Sequence, residues 1–230
     1  MCGITGFYSK KLSLENLQEM TNKLSHRGPN SKGYYFNNNI GLGHRRLSIL
    51  DLSENGSQPI TSHCGNYIMI YNGEVYNYKE IANQLKINNW KSTSDTEVIL
   101  EAFVQWKNEF VHKLNGMFAI AIYDLKKNKI SLFRDRIGIK PLYYYHKDGQ
   151  FIFGSEIKIF KKANLKLSID ESSIYNYLHL GYITSNYTLF KEIKKVKPGS
   201  IIEYENEKIK EKFYWKSNDF FMEDVVGNYF

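Results

Sequence analysis

Met117-Phe118-Ala119-Ile120-Ala121-Ile122-Tyr123 carries no charged residue, and both of its alternating faces are apolar. A short apolar run of this kind, bounded by turn signals, is a strand covered on both sides. Lys126 to Lys129 supplies the turn, and residues 130–134 return as the next strand. Outward from this pair, strand-like runs recur at residues 3–9, 33–36, 40–50, 67–71, 142–145, 151–154, 200–204 and 208–215. Asn72-Gly73, a common hairpin dipeptide, reads as an interruption of the run at 67–71. Helical patterns lie between the strands. Ser13 is a candidate N-cap for a helix with Leu14, Leu17, Met20 and Leu24 on one stripe. That helix must stop by His26-Arg27-Gly28-Pro29, because proline and the residue before it resist helical geometry. Residues 78–86, 95–106, 155–161 and 171–180 read as further helices. Doubly covered strands with interleaved helices predict a layered α+β domain.

The composition excludes several classes. At 230 residues, 42% hydrophobic and 24% charged, the chain is long enough for a sizeable core. Two cysteines, Cys2 and Cys64, are no disulfide framework and suit a reducing, cytoplasmic setting. The first 25 residues hold Lys10, Lys11, Glu15, Glu19 and Lys23, so no secretory signal is expected. No stretch approaches the roughly 20 apolar residues of a membrane span. The net charge of +7 invites a nucleic-acid reading. Yet Glu192, Glu203, Glu205, Glu207 and Glu211 are threaded among the C-terminal lysines, which makes a solvated mixed face.

Chemistry has a few candidate places. Cys2 follows the initiator methionine, and a small second residue favours removal of Met1. Cys2 would then carry a thiol and a free α-amine of reference pKa roughly 7.7–8.0. Such an amine can act as general base for its own side chain. The bland alternative is a buried small hydrophobe. Arg45 and Arg46, adjacent on a strand, point to opposite faces. One reaches solvent, and the other meets either a structural ion-pair partner or a substrate carboxylate, which the guanidinium fork matches. Asn72-Gly73-Glu74 is a turn, or else a side-chain amide beside a glycine N–H, which is what an oxyanion hole needs. Asp95 sits at a helix start, where acidic residues are favoured in any case. The charged block Arg134 to Tyr143 reads by itself as a salt-bridged loop. No Gly-rich phosphate loop, zinc spacing or nucleotide fingerprint is present.

These blocks occur together and in order: His26-Arg27-Gly28-Pro29, Arg46 to Asp51, Asn72 to Asn77, Ser94 to Leu100, Leu114 to Asp124, Arg134 to Tyr143 and Gly154-Ser155-Glu156-Ile157-Lys158. On them, after an N-terminal Met-Cys-Gly, the chain resembles the class II glutamine amidotransferase domain, an N-terminal-nucleophile hydrolase. It looks most like the glutaminase half of glutamine-dependent asparagine synthetase. The resemblance spans residues 2–215, leaving 216–230 as a tail or the start of a missing synthetase domain. It implies a four-layer αββα sandwich. It implies that Cys2 attacks the side-chain amide of glutamine, with Asn72 and the Gly73 N–H holding the oxyanion. Arg46 would take the α-carboxylate, Glu74 and Asp95 the α-ammonium, and Leu47, Ser48, Ile49 and Leu50 would line the pocket. No cofactor or metal is expected in this chain. ATP and Mg are implied only for an ATP-pyrophosphatase-type synthetase domain or subunit, whose Ser-Gly-Gly-x-Asp-Ser phosphate loop the sequence lacks. A homodimer is left open, as are a different ammonia acceptor and a non-catalytic glutamine-binding or interaction module. Neither nucleic acid nor membrane is an expected partner.

Overall fold

A computed structural model describes residues 1–48, 51, 53–184 and 187–220. The chain begins with β1 (Gly3–Tyr8), α1 (Leu14–Asn22), β2 (Ser31–Asn37) and β3 (Ile40–Arg46), then β4 (Ile60–Thr61) and β5 (Tyr67–Val75). Helices α2 (Tyr78–Leu85), α3 (Asp95–Trp106) and the short α4 (Phe110–Lys113) precede β6 (Gly116–Asp124) and β7 (Lys129–Arg134). β8 (Tyr143–Lys147), β9 (Gln150–Gly154), α5 (Glu171–Leu180), β10 (Ile193–Lys195), β11 (Ser200–Glu205) and β12 (Lys208–Phe213) complete the described order.

Two six-stranded antiparallel sheets result, one ordered β10-β8-β9-β1-β3-β2 and the other β12-β11-β7-β6-β5-β4. Alternation along β6 decides the layering. Ala119 and Ala121 face the other sheet, in a cluster with Ile4, Leu42 and Phe153. Phe118, Ile120 and Ile122 face α3, packing with Ile99, Leu100 and Phe103. On the far side, Leu17 and Met20 of α1 pack with Phe7 and Ile152 of the first sheet. The order helix, sheet, sheet, helix is the four-layer αββα sandwich expected. Each fully buried large apolar side chain contributes roughly 1.5–3 kcal/mol. The helix start at Ser13 is a capping box: Asn16 N donates to Ser13 Oγ at 3.4 Å, and Ser13 N donates to Asn16 Oδ1 at 3.0 Å. Among the described residues, no helix is long and apolar enough to cross a membrane.

Three local readings are corrected. Asn72-Gly73 does not interrupt its strand; β5 continues to Val75, with Asn72 opposite Ala119 and Gly73 opposite Phe118. Long pairing with β6 overrides the local turn preference. Gly73 is needed there because a Cβ would collide with the Met117 carbonyl. The predicted helix at 155–161 is a 3₁₀ segment, Ile157–Lys162. The strand predicted over 40–50 ends at Arg46, and Ile49 and Leu50 lie outside the described residues.

Candidate active site

β1 and β3 pair with Gly3 opposite Arg45, so Cys2 lies just beyond the ladder, at the level of Arg46 and Leu47. Its Sγ accepts from Leu47 N at 3.4 Å and lies 3.7 Å from Leu47 O. The opposite wall comes from the second sheet, where β5 carries Tyr71, Asn72, Gly73 and Glu74. His44 ties the walls together. It is fully buried, and burial holds its imidazole down to about 3, against the pull of the Tyr71 carbonyl. The ring is therefore neutral, and its Nε2–H donates to Tyr71 O at 3.2 Å. A carbonyl only accepts, so this contact also sets the tautomer.

α3 brings in Asp95, whose Oδ2 accepts from Tyr71 Oη at 2.8 Å and Val75 N at 2.9 Å. Burial pushes its carboxyl above the usual range and the Glu74 charge adds to this, while the two hydrogen bonds oppose it. Cys2, Arg46, Leu47, Asn72, Gly73, Glu74 and Asp95 all line one cavity of about 180 Å³. Seven of the ten residues named from the sequence thus share one cavity. Ser48 instead borders a neighbouring groove with Asn30 and Ser53, and its N–H donates to Asn30 Oδ1 at 3.1 Å. Ile49 and Leu50 are outside the described residues.

Two features of the cavity carry chemical meaning. Asn72 is buried, and its Nδ2 has no hydrogen-bond partner among the described residues. Buried donors are nearly always satisfied, so an orphan of this kind costs about 1–3 kcal/mol and calls for an explanation. The planar amide is close to two-fold about χ2, so a half-turn exchanges its ends. Arg46 is also buried, yet among the described residues it meets no carboxylate. Nη1 donates to Ser53 O at 2.7 Å and Nη2 donates to Asp51 O. Gly56 makes room for it, since a Cβ there would collide with Nη2. Among the described residues, the structural ion pair open to it in the sequence does not form.

Sequence reasoning missed several lining residues: Gln58, Tyr71, Thr96 and Lys140. Gln58 accepts from Tyr71 N at 2.6 Å through Oε1, which fixes the strand beneath Asn72. Lys140 ends a loop organised by Asp135, whose carboxylate accepts from Ile139 N at 2.8 Å, Lys140 N at 2.9 Å and Phe118 N at 3.2 Å. Burial, and then the nearby Arg27 charge, hold the Lys140 ammonium below the usual lysine range. The signal for Lys140 was its place in the block Arg134 to Tyr143. Gln58 carried none, since its role depends on contacts made only in the folded chain. Among the described residues, no group of His, Cys, Asp and Glu could hold a metal ion.

A family model described as a glutamine amidotransferase domain matches residues 1–215. The chain belongs to this family. Among curated relatives of the amidotransferase domain, asparagine synthetase [glutamine-hydrolyzing] 3 of Bacillus subtilis is 35% identical, covering 99% of this chain and 39% of its own length. Asparagine synthetase [glutamine-hydrolyzing] 1 of the same organism is 37% identical over 87% of this chain and 33% of its own length. The chain thus spans less than half the length of these relatives. The solved glutamine phosphoribosylpyrophosphate amidotransferase of B. subtilis superposes with a TM-score of 0.70 over 92% of this chain and 49% of that one. At 16% identity the likeness is one of fold.

Proposed function

We propose that this domain hydrolyses the side-chain amide of free glutamine and supplies the ammonia to an ATP-dependent synthetase domain that amidates aspartate. The observation that carries the reading is the unpartnered amide donor of Asn72 on the wall of the cavity that holds the Cys2 thiol. Once Met1 is removed, the α-amine of Cys2 takes the thiol proton and the sulfur attacks the amide carbon. The oxyanion that forms is held by Asn72 Nδ2 and Gly73 N–H. The amine returns the proton to the leaving nitrogen, ammonia departs, and water then releases glutamate from the thioester. Arg46 takes the α-carboxylate in a charge-assisted bond. Glu74 and Asp95 together take the α-ammonium. A site that matches both charges favours the free amino acid over a glutamine within a peptide. Leu47 lines this pocket, with Ser48 in the groove beside it.

The acceptor half rests on the names of the relatives, which are more than twice as long as this chain. ATP and Mg would belong to that half, and no step described here passes through them. A reading other than asparagine formation has its own support: a relative at 31% identity over 94% of this chain, from Gibberella zeae, is named amidase chry2 and not asparagine synthetase. Met1 also borders the cavity, so a chain that keeps it would bind glutamine without turnover. The test is glutamate release from glutamine by the Met1-processed protein. Turnover in the wild type and none in Cys2→Ala is the expected result. No turnover in the processed wild type, or undiminished turnover in Cys2→Ala, defeats the reading.

A further inference from the structure

Two sequence blocks, His26-Arg27-Gly28-Pro29 and Gly154-Ser155-Glu156-Ile157-Lys158, contribute nothing to the cavity wall, yet they meet behind it. Ser155 holds β1 through both of its polar groups: its N–H donates to Ile4 O at 2.9 Å, and its Oγ accepts from Ile4 N at 3.0 Å. Strand pairing with β3 begins only at Gly3, so Cys2 needs a different anchor. That anchor is Arg27, whose Nε donates to Cys2 O at 2.9 Å. Arg27 is itself held from behind: Nη1 donates to Glu156 Oε1 at 3.0 Å, and the arginine side chain is only 9% exposed. Glu156 also receives His26 Nε2 at 2.9 Å and Lys158 Nζ at 3.0 Å. Burial opposes its ionisation, but the hydrogen bonds from Arg27, Lys158 and His26 outweigh burial and keep its carboxyl below the usual range.

We infer that Glu156 is a positioning residue for the nucleophile: it fixes the Arg27 guanidinium, which fixes the Cys2 carbonyl and so the place of the thiol in the cavity. The chemical use of that placement rests on the amidotransferase reading above. An arginine side chain has several free torsions, and a bond to one carbonyl does not hold them. A fixed carboxylate behind the fork removes that freedom. A misplacement of about 1 Å at a nucleophile can cost on the order of 10²-fold in rate. Glu156 touches neither sulfur nor cavity, so its effect must pass through Arg27.

The experiment reads Cys2 in two ways on the full chain. Alkylation by iodoacetamide is followed by mass spectrometry, with the exposed Cys64 thiol of the same molecule as internal reference. Glutamine turnover is measured alongside. Glu156→Gln is expected to slow Cys2 alkylation relative to Cys64 by at least about fivefold. It is also expected to lower kcat by at least about tenfold, with KM within about twofold. On an Arg27→Gln background the same change should add no more than about twofold, because both act on one link. An unchanged Cys2 to Cys64 ratio in Glu156→Gln overturns the inference, and so do effects that multiply in the double variant. Should Glu156→Gln not fold, Glu156→Asp carries the test, since it keeps the charge but draws it back from Arg27; an unaltered ratio there overturns it equally. If the wild type releases no glutamate, the amidotransferase reading fails by itself, and the alkylation ratio still decides the role of Glu156.

Discussion

Replacing Asn72 by alanine should separate activity from stability. Most substitutions in a sheet core harm both. Asn72 pairs with Ala119 through its backbone, and that pairing survives truncation at Cβ. The lost side chain has a buried Nδ2 with no hydrogen bond to forfeit among the described residues. An orphan donor already costs about 1–3 kcal/mol, so removing it offsets the lost packing. The net change in stability should stay within about 1 kcal/mol, a shift of roughly 2–4 °C in Tm for a chain of this size. Catalysis should respond quite differently. One oxyanion donor is worth about 10²–10³ in kcat, or roughly 2.7–4 kcal/mol that appears only in the transition state. KM should therefore move little. The assay is glutamate release over a range of glutamine concentrations, paired with a thermal melt of the same sample. A kcat within about threefold of wild type would refute the reasoning. So would a melt lowered by much more than about 4 °C, which would mean that Asn72 serves the fold.

Arg46→Gln should act on binding: losing a charge-assisted bond of about 1.5–3 kcal/mol raises KM for glutamine at least about tenfold and leaves kcat within about threefold. Asp95→Asn keeps an acceptor for both Tyr71 Oη and Val75 N, which share a single oxygen. Because burial raises the carboxyl above its unfolded value, the ionised form costs stability at pH 7. The asparagine variant should melt a few degrees higher while its KM rises, and a lower Tm would contradict this account. His44 sets a pH dependence. With the folded ring lowered to about 3 and the unfolded one near its ordinary 6.5, the unfolded chain takes the proton first as pH falls. The loss is about 2 kcal/mol by pH 5. Urea titrations at pH 7 and pH 5 should show that loss in the wild type and lack it in His44→Gln; equal losses in both would count against the neutral buried ring.

The layering could be read from Met117–Tyr123 because both faces of that run are apolar, and only a doubly covered strand accommodates such a pattern. The helix Asp95–Trp106 was legible to the residue for a related reason, since a favourable acidic start coincides with the onset of its periodicity. The site was legible in a different way. Cys2, Arg46, Asn72 and Asp95 are far apart in sequence, and only the ordered set of blocks showed that they belong together. What the sequence hid was fixed by distant partners. Asn72-Gly73 has turn chemistry, but nine paired positions along β6 hold it extended. Ile193–Lys195 is three residues with two lysines, and it is a strand only because Tyr143, Tyr144 and Tyr145 lie beside it. Gln58 looks like any loop glutamine until Tyr71 N reaches it.

β1 sits between β3 and β9 in its sheet, so the first strand to be made has neighbours at residues 40–46 and 150–154. During synthesis the β3 neighbour is at hand soon after β1, but the β9 neighbour emerges only some 140 residues later. The thiol's berth, with Ser155 and Glu156 just behind β9, is therefore completed late. Until then the leading residues remain open to the enzymes that trim nascent chains, and a product cut short before residue 154 would carry the cysteine without a seat for it.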